Sequence, residues 1–271
     1  MDDVNGYGRN FGLRDEIKAY WSARAATFDL SPGHEIFSEE ERAAWHRLVT
    51  KHLGLGDDRA ALDLASGTGV ISHLMDDLGY RVTGLDWAEP MLERAKAKAK
   101  KRNRSISFRM GDAENTMEPD GAYDAVINRH LVWTLVDPKS AFSEWFRVLK
   151  PGGKLLIVDG DFVNVSLTEK LLKNLANLLQ KRGLLKPDPL HAPAEMMAVH
   201  NSILSRVYFS KGARADAIAA LLKDAGFVDI VIDTDLREVH KTQAKNWNFL
   251  KAAARGIQHR FAICASRPPE A

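Results

Sequence analysis

A doubly wound α/β fold is predicted by three features of the sequence: a mostly parallel seven-stranded sheet with an antiparallel edge strand, plus N-terminal helices and a helical insertion. Short apolar runs alternate with amphipathic stretches from Arg59 to Phe162, the pattern of stacked βαβ units. A glycine-rich turn, Ser66-Gly67-Thr68-Gly69, joins the first apolar run to the first amphipathic stretch. Two more strand-like segments follow a helical tract near the end of the chain.

Taken in order, residues 13–53 read as two helices joined by the turn Ser31-Pro32-Gly33. Strands are expected over 61–66, 81–86, 106–112, 123–128 and 154–160, each short and mostly apolar as strands buried on both faces should be. Covering helices are expected over 70–79, 89–102 and 138–149, where apolar residues recur at the helical period. Gly79, Asp120-Gly121 and Pro151-Gly152-Gly153 mark the boundaries. After Phe162 the alternation stops, and LTEKLLKNLANLLQKRG reads as an amphipathic helix ended by Gly183, before a loop with Pro187, Pro189 and Pro193. A helix over 212–225, ended by Gly226, and strands over 227–236 and 260–266 complete the sheet, the last two pairing antiparallel at its edge. The expected division is a helical cap (1–54), a ligand-binding core (55–162), a helical insertion or lid (163–211) and the remainder of the core sheet (212–271).

Composition narrows the class. At 271 residues, 45% hydrophobic and 27% charged, the chain can bury one large or two modest cores. The formal charge of +2 gives no strong field toward nucleic acid or an anionic membrane. The run ERAKAKAKKRNR (93–104) carries no aromatic residue to stack on bases and reads as the solvated C-terminal part of a helix. A single cysteine, Cys264, reads as a small buried hydrophobe and leaves neither a disulfide framework nor a thiolate cluster, so no metal site is expected. The first twenty residues lack the basic and apolar regions of a signal peptide, and no run approaches the ~18 apolar residues of a membrane span. A soluble, cytoplasmic protein is expected, with neither nucleic acid nor membrane as partner and a homodimer allowed.

The segment ALDLASGTGV (61–70) carries the most chemistry. Gly67 and Gly69 let the backbone turn tightly and expose its N–H groups to a ligand. Asp86 ends the next strand, where a carboxylate can accept hydrogen bonds from both hydroxyls of a ribose. Other nucleotide binders share this much. A dinucleotide turn needs glycine or alanine where Ser72 stands, and a P-loop needs a lysine that is missing. GDAE (111–114) closes the third strand, so Asp112 can accept from an adenine amine while Ala113 leaves room for the ring, and Trp87 offers an apolar wall. RVLKPGGKLLIVD (147–159) then leads a helix through a Pro-Gly-Gly turn into the fifth strand.

Together these pieces favour S-adenosylmethionine. The segment from Ala61 to Asp161 resembles the core of class I S-adenosylmethionine-dependent methyltransferases, particularly the ubiquinone and menaquinone C-methyltransferase group. The resemblance implies S-adenosylmethionine as cofactor, S-adenosylhomocysteine as product and a small-molecule acceptor methylated at N, O or C. It gives Asp63 a role in holding the methionine moiety and puts Ala65 where the family normally has glycine. Asn128 joins the cofactor set at the end of the fourth strand. YWSARAATFD (20–29) resembles the family's N-terminal segment over the methionine end, with Tyr20 and Phe28 as pocket aromatics. After the fourth strand INRHLVW (127–133) stands in place of the Asn/Asp-Pro-Pro-Tyr/Phe motif of many nucleic-acid and protein amide methyltransferases. His130 in that segment is the candidate catalytic residue, taking the acceptor's proton or orienting the acceptor, with Asp159 and Asp161 as polar partners. His34 and Trp133 complete the expected pocket, and His191 and His200 are weaker candidates for the same task. An RNA methyltransferase, a nicotinamide-dependent oxidoreductase and a non-catalytic S-adenosylmethionine-binding protein are the alternatives.

Overall fold

The computed structural model describes residues 12–185 and 194–270. The strands are β1 (Ala60–Leu64), β2 (Arg81–Asp86), β3 (Ser107–Met110), β4 (Tyr123–Arg129), β5 (Leu149–Gly160), β6 (Val228–Asp233) and β7 (Arg260–Ser266). They form one sheet in the order β3-β2-β1-β4-β5-β7-β6. The first five run parallel, and β7 is antiparallel to both neighbours, so the last two strands pair as expected.

The alternation along each strand divides the core in two. Leu62, Leu64, Leu155 and Ile157 face one side, packed with Phe142 and Trp145 of helix α5 (Pro138–Val148) and Ile218 and Leu222 of the later helix at Ala215–Asp224. Ala61, Ile127, Leu156 and Val158 face the other, covered by Trp45 and Val49 of α2 (Glu39–Leu53) and Leu74 and Met75 of α3 (Val70–Asp77). Each fully buried side chain of this size contributes about 1.5–3 kcal/mol. The Trp145 indole N–H also donates to the Ala113 carbonyl at 2.7 Å, which fixes the turn after β3 from below.

The remaining helices are α1 (Leu13–Arg24), α4 (Glu89–Lys101), α6 (Leu167–Lys181), α7 (Ala194–Leu204), α8 (Ala215–Asp224), α9 (Arg237–Ala244) and α10 (Phe249–Gly256). Sequence periodicity anticipates neither α9 nor α10, since eight residues make barely two turns and an amphipathic period hardly registers. β1 stops at Leu64, short of the expected Ser66, because Ala65 takes a left-handed φ of +52° and leaves the ladder. Pro187, Pro189, Pro193 and His191 lie outside the described residues.

Strand order reverses between β1 and β4, the switch point where open α/β sheets leave a crevice beyond the strands' C-terminal ends. Ile17 and Tyr20 of α1 pack against Ile203 and Val207, and Arg206 pairs with Glu16, placing α1 and α7 together over this edge.

Candidate active site

A cavity of about 390 Å³ opens at this edge. Its acidic end is set by the turns that follow β1, β2 and β3. Gly67 adopts φ +54°, and its N–H donates to Asp86 Oδ2 at 2.8 Å while the Ala88 N–H donates to Oδ1 at 2.8 Å. Both carboxylate oxygens are thereby fixed, each with a lone pair to spare. Burial raises Asp86 to about 6 and Asp63 to about 7. Ser72, the residue that breaks the dinucleotide pattern, donates its hydroxyl to Asp63 Oδ2 at 2.6 Å. Asp112 accepts from the Glu114 N–H at 2.8 Å and from Arg14 of α1 at 2.6 Å. Two buried acids and a half-buried one, prepared to meet donors, fit the amine and hydroxyls of S-adenosylmethionine. So does the space at Gly67, where an added Cβ would find only the Phe28 ring, at 3.7 Å.

The N-terminal segment roofs this end. Asp29 accepts from Thr68 of the glycine turn at 2.5 Å, and Lys98 of α4 bonds Asp29 at 2.9 Å and Glu35 at 2.6 Å. Arg14 bridges Asp112 and Glu114, while Glu114 also accepts from the Val136 and Asp137 N–H groups. Lys98 belongs to the lysine-rich run, and it points inward to hold the cap.

The opposite end is aromatic and cationic. Trp21, Phe28, His34, Trp133, Phe162 and His200 form a continuous wall, with Phe28 and His34 stacked at 4.2 Å and the other ring pairs 5.5–6.3 Å apart. Arg24, Arg129, Arg255 and Arg260 also line it. His130 follows β4 in a left-handed conformation, φ +59°, with its backbone N–H bonded to the Val158 carbonyl. Its Nδ1 lies 3.8 Å from Asp159 Oδ1. Burial and then the neighbouring Arg260 and Arg129 push this imidazole well below its ordinary range, so it is neutral. His34, lowered to about 3 by burial and by Arg129, is neutral as well and donates from Nδ1 to the Phe28 carbonyl.

Asp63, Ala65, Gly67, Asp86, Trp87, Asp112, Ala113, Tyr20, Phe28, His34, His130 and Trp133 all line the cavity. Four other expected residues do not. Gly69 caps α3 at φ +81°, and a Cβ there would lie 2.9 Å from the Phe108 ring, so packing and turn geometry require it. Asn128 is fully buried inside β4 beside Leu64, below the cavity floor. The Asp159 carboxylate accepts the Val132 and Gly160 N–H groups, beneath His130. The Asp161 carboxylate shapes its own turn by accepting from the Val163 and Asn164 N–H groups. Arg14, Arg24, Arg129, Arg255 and Arg260 carry no motif signal in the sequence; the fold takes Arg14 to the acidic end and the other four to the cavity wall.

Residues 62–157 match the family model described as methyltransferase domain. A demethylmenaquinone methyltransferase of Paenarthrobacter aurescens is 29% identical over 236 residues, covering 84% of this chain and 86% of that protein. A ubiquinone/menaquinone biosynthesis C-methyltransferase of Bdellovibrio bacteriovorus is 29% identical over 170 residues, 62% of this chain and 72% of its own length. Among solved structures, a geranyl diphosphate C-methyltransferase from Streptomyces coelicolor superposes with TM-score 0.60 at 18% identity, covering 94% of this chain and 98% of that one. A phosphoethanolamine N-methyltransferase from Haemonchus contortus gives TM-score 0.63 at 17% identity over 96% of this chain, which spans only 60% of that structure. The chain is an S-adenosylmethionine-dependent methyltransferase of the small-molecule type. Its resemblance lies with the quinone C-methyltransferase group, as the sequence motifs imply. Among the described residues, no helix is long and apolar enough to cross a membrane.

Proposed function

We propose that the acidic end of the cavity holds S-adenosylmethionine and the aromatic end holds a small acceptor, methylated in the cytoplasm by in-line displacement. The observation that carries this reading is the continuity of one cavity from Asp86 to His130. When bound, S-adenosylmethionine supplies an electrophilic methyl group on a sulfonium. Asp86 takes the ribose hydroxyls, Asp112 the adenine amine and Asp63 the methionine amine, while Arg24 is placed for the methionine carboxylate. Trp87, part-buried against α1, walls the adenine.

Alignment is the main contribution of the chain, since effective molarities of roughly 10⁵–10⁸ M are available to well-oriented reactants. The ring wall from Trp21 to Phe162 excludes water and holds the acceptor. His130 accepts the proton that an acceptor O–H or C–H must lose, at Nε2, while its buried Nδ1 faces Asp159 below. The chain divides into a cap (1–54), a core (55–162 and 212–271) and an insertion (163–211), a division supported among the described residues by the packing of α1 on α7 and the bonds of Lys98 and Arg14 over the core.

The test is incubation with methyl-labelled S-adenosylmethionine and a cell extract separated into small-molecule, RNA and protein fractions. Label in the small-molecule fraction is expected. Label confined to RNA or protein, or none with the cofactor demonstrably bound, overturns the reading.

A further inference from the structure

Three arginines of the cavity, one from the middle of the chain and two from near its end, meet beyond the cofactor end. Arg129 ends β4 and Arg260 opens β7, opposite Gly160 of β5, so both stand at the edge where the parallel strands end. Arg255 comes from the last turn of α10, and its guanidinium reaches to about 3.1 Å from where a Cβ on Gly33 would lie. Each lies over an aromatic ring, Arg129 on Trp45, Arg255 on Trp247 and Arg260 on Phe162, at 5.0–5.9 Å from the centroid. Such stacking orients a guanidinium and leaves its charge in place.

Among the described residues no carboxylate lies within ion-pair distance of Arg129, Arg255 or Arg260. Asp63, Glu35, Glu41 and Asp29 act on Arg129 only from beyond ion-pair distance, and its Nη2 donates to the His34 carbonyl at 2.7 Å; the acids that act on Arg255 and Arg260 are engaged elsewhere. Asp159 accepts backbone N–H groups, and Glu169 accepts from Lys173 at 2.5 Å and from Gln258 at 2.7 Å. Arg260 is only 9% exposed, yet its Nε has no hydrogen-bond partner, and the same is true of Nη1 of Arg129. The other groups facing the cluster, His34 and His130, are neutral rings. Burying unpaired charges costs several kcal/mol per ion after relaxation, so such a cluster makes physical sense when an anion completes it.

We propose that Arg129, Arg255 and Arg260 form an anion subsite and that the methyl acceptor carries a carboxylate or phosphate group there, beside the aromatic wall. The inference rests on the methyltransferase reading and names its substrate class. The anionic group anchors the acceptor by bidentate guanidinium contacts, and the atom to be methylated lies between that anchor and the cofactor end, within reach of His130. The Asp86 and Asp63 end repels the same group, so the two ends of the cavity sort a cofactor rich in donors from an acceptor rich in charge.

The experiment uses the full chain saturated with S-adenosylhomocysteine and two probes, inorganic pyrophosphate and benzoate, titrated at constant ionic strength against a chloride control. Cofactor affinity is measured on the same samples by calorimetry, so failure of the methyltransferase reading shows as absent S-adenosylhomocysteine binding. Specific binding of one probe is expected, pyrophosphate marking a phosphate acceptor and benzoate a carboxylate acceptor. Arg255→Gln and Arg260→Gln should each weaken it roughly ten- to a hundredfold, the range for a lost charge-assisted bond, with cofactor affinity unchanged. Arg255→Lys retains charge without the fork and should fall between, which keeps the test readable if Arg260→Gln folds poorly. Cofactor bound with neither probe binding above chloride overturns the proposal. So do probe affinities unmoved by the arginine changes, or a matching fall in cofactor affinity, which would assign the arginines to the cofactor.

Discussion

At the acidic end of the cavity Asp63, Asp86 and Asp112 come from the C-terminal ends of three successive strands, whereas the cationic end draws on Arg24, His34, Arg129, His200, Arg255 and Arg260, from the cap to the last strand. The first end is a property of the sheet: each parallel strand stops in a turn, after β1 and β2 a helix N-terminus follows, and a few residue types suffice to make such an edge bind. The second is a property of what folds over the sheet. Its residues have no fixed spacing, so the cap, insertion and C-terminal helices can change acceptor without disturbing the cofactor end.

If the ends are independent, His130→Ala should lower turnover by about 10²-fold while S-adenosylhomocysteine affinity stays within about twofold. Because this imidazole titrates well below 6.5, it is neutral from pH 6 to 9, and the free enzyme should show no acidic limb from it in that range. Steady-state kinetics with the true acceptor and calorimetry check both statements; an equal fall in cofactor affinity would merge the two ends. Lys98→Met probes the cap that joins them. It leaves Asp29 and Glu35 facing each other without their shared cation, at a cost of about 2 kcal/mol, or roughly 4–8 °C in Tm for a protein of this size. An unchanged melting temperature would mean the cluster does not secure the cap. The smallest effect is expected at Ala65→Gly. Left-handed backbone costs alanine about 1–2 kcal/mol, and the glycine's extra unfolded-state freedom returns roughly half of that, so Tm should rise by about 1–3 °C. A fall would show that the alanine methyl packs usefully.

These two ends also differ in how far they can be read from sequence. The strand-turn-helix run around Gly67, the acid ending β2 and the GDAE turn are local patterns, and the structure brings Asp63, Gly67, Asp86 and Asp112 to one cavity. Local patterns fail where a residue serves the turn itself. Gly69 and Asp161 look functional because turn formers and site residues share chemistry, and Asp159 because its strand-end position suits a site, although its oxygens are spent on backbone N–H groups. The arginines stay illegible for the opposite reason. Arg255 and Arg260 belong to no motif in the sequence, and only α10 and β7, once folded, bring their guanidinium groups against Trp247 and Phe162.

The account stands most directly on the acidic end, and titration of S-adenosylhomocysteine into the wild type and Asp86→Ala measures it. Asp86 is held near 6 by burial, and donors arriving from the ligand must lower it, so binding near pH 6 should release a proton that is not released at pH 8. Repeating the titration in buffers of different ionisation enthalpy reads that proton. The expected result is binding by the wild type with proton release, and an Asp86→Ala variant weakened at least tenfold that releases none through this carboxyl. Undiminished affinity in the variant, or no binding by the wild type, would contradict the assignment of this end to the cofactor.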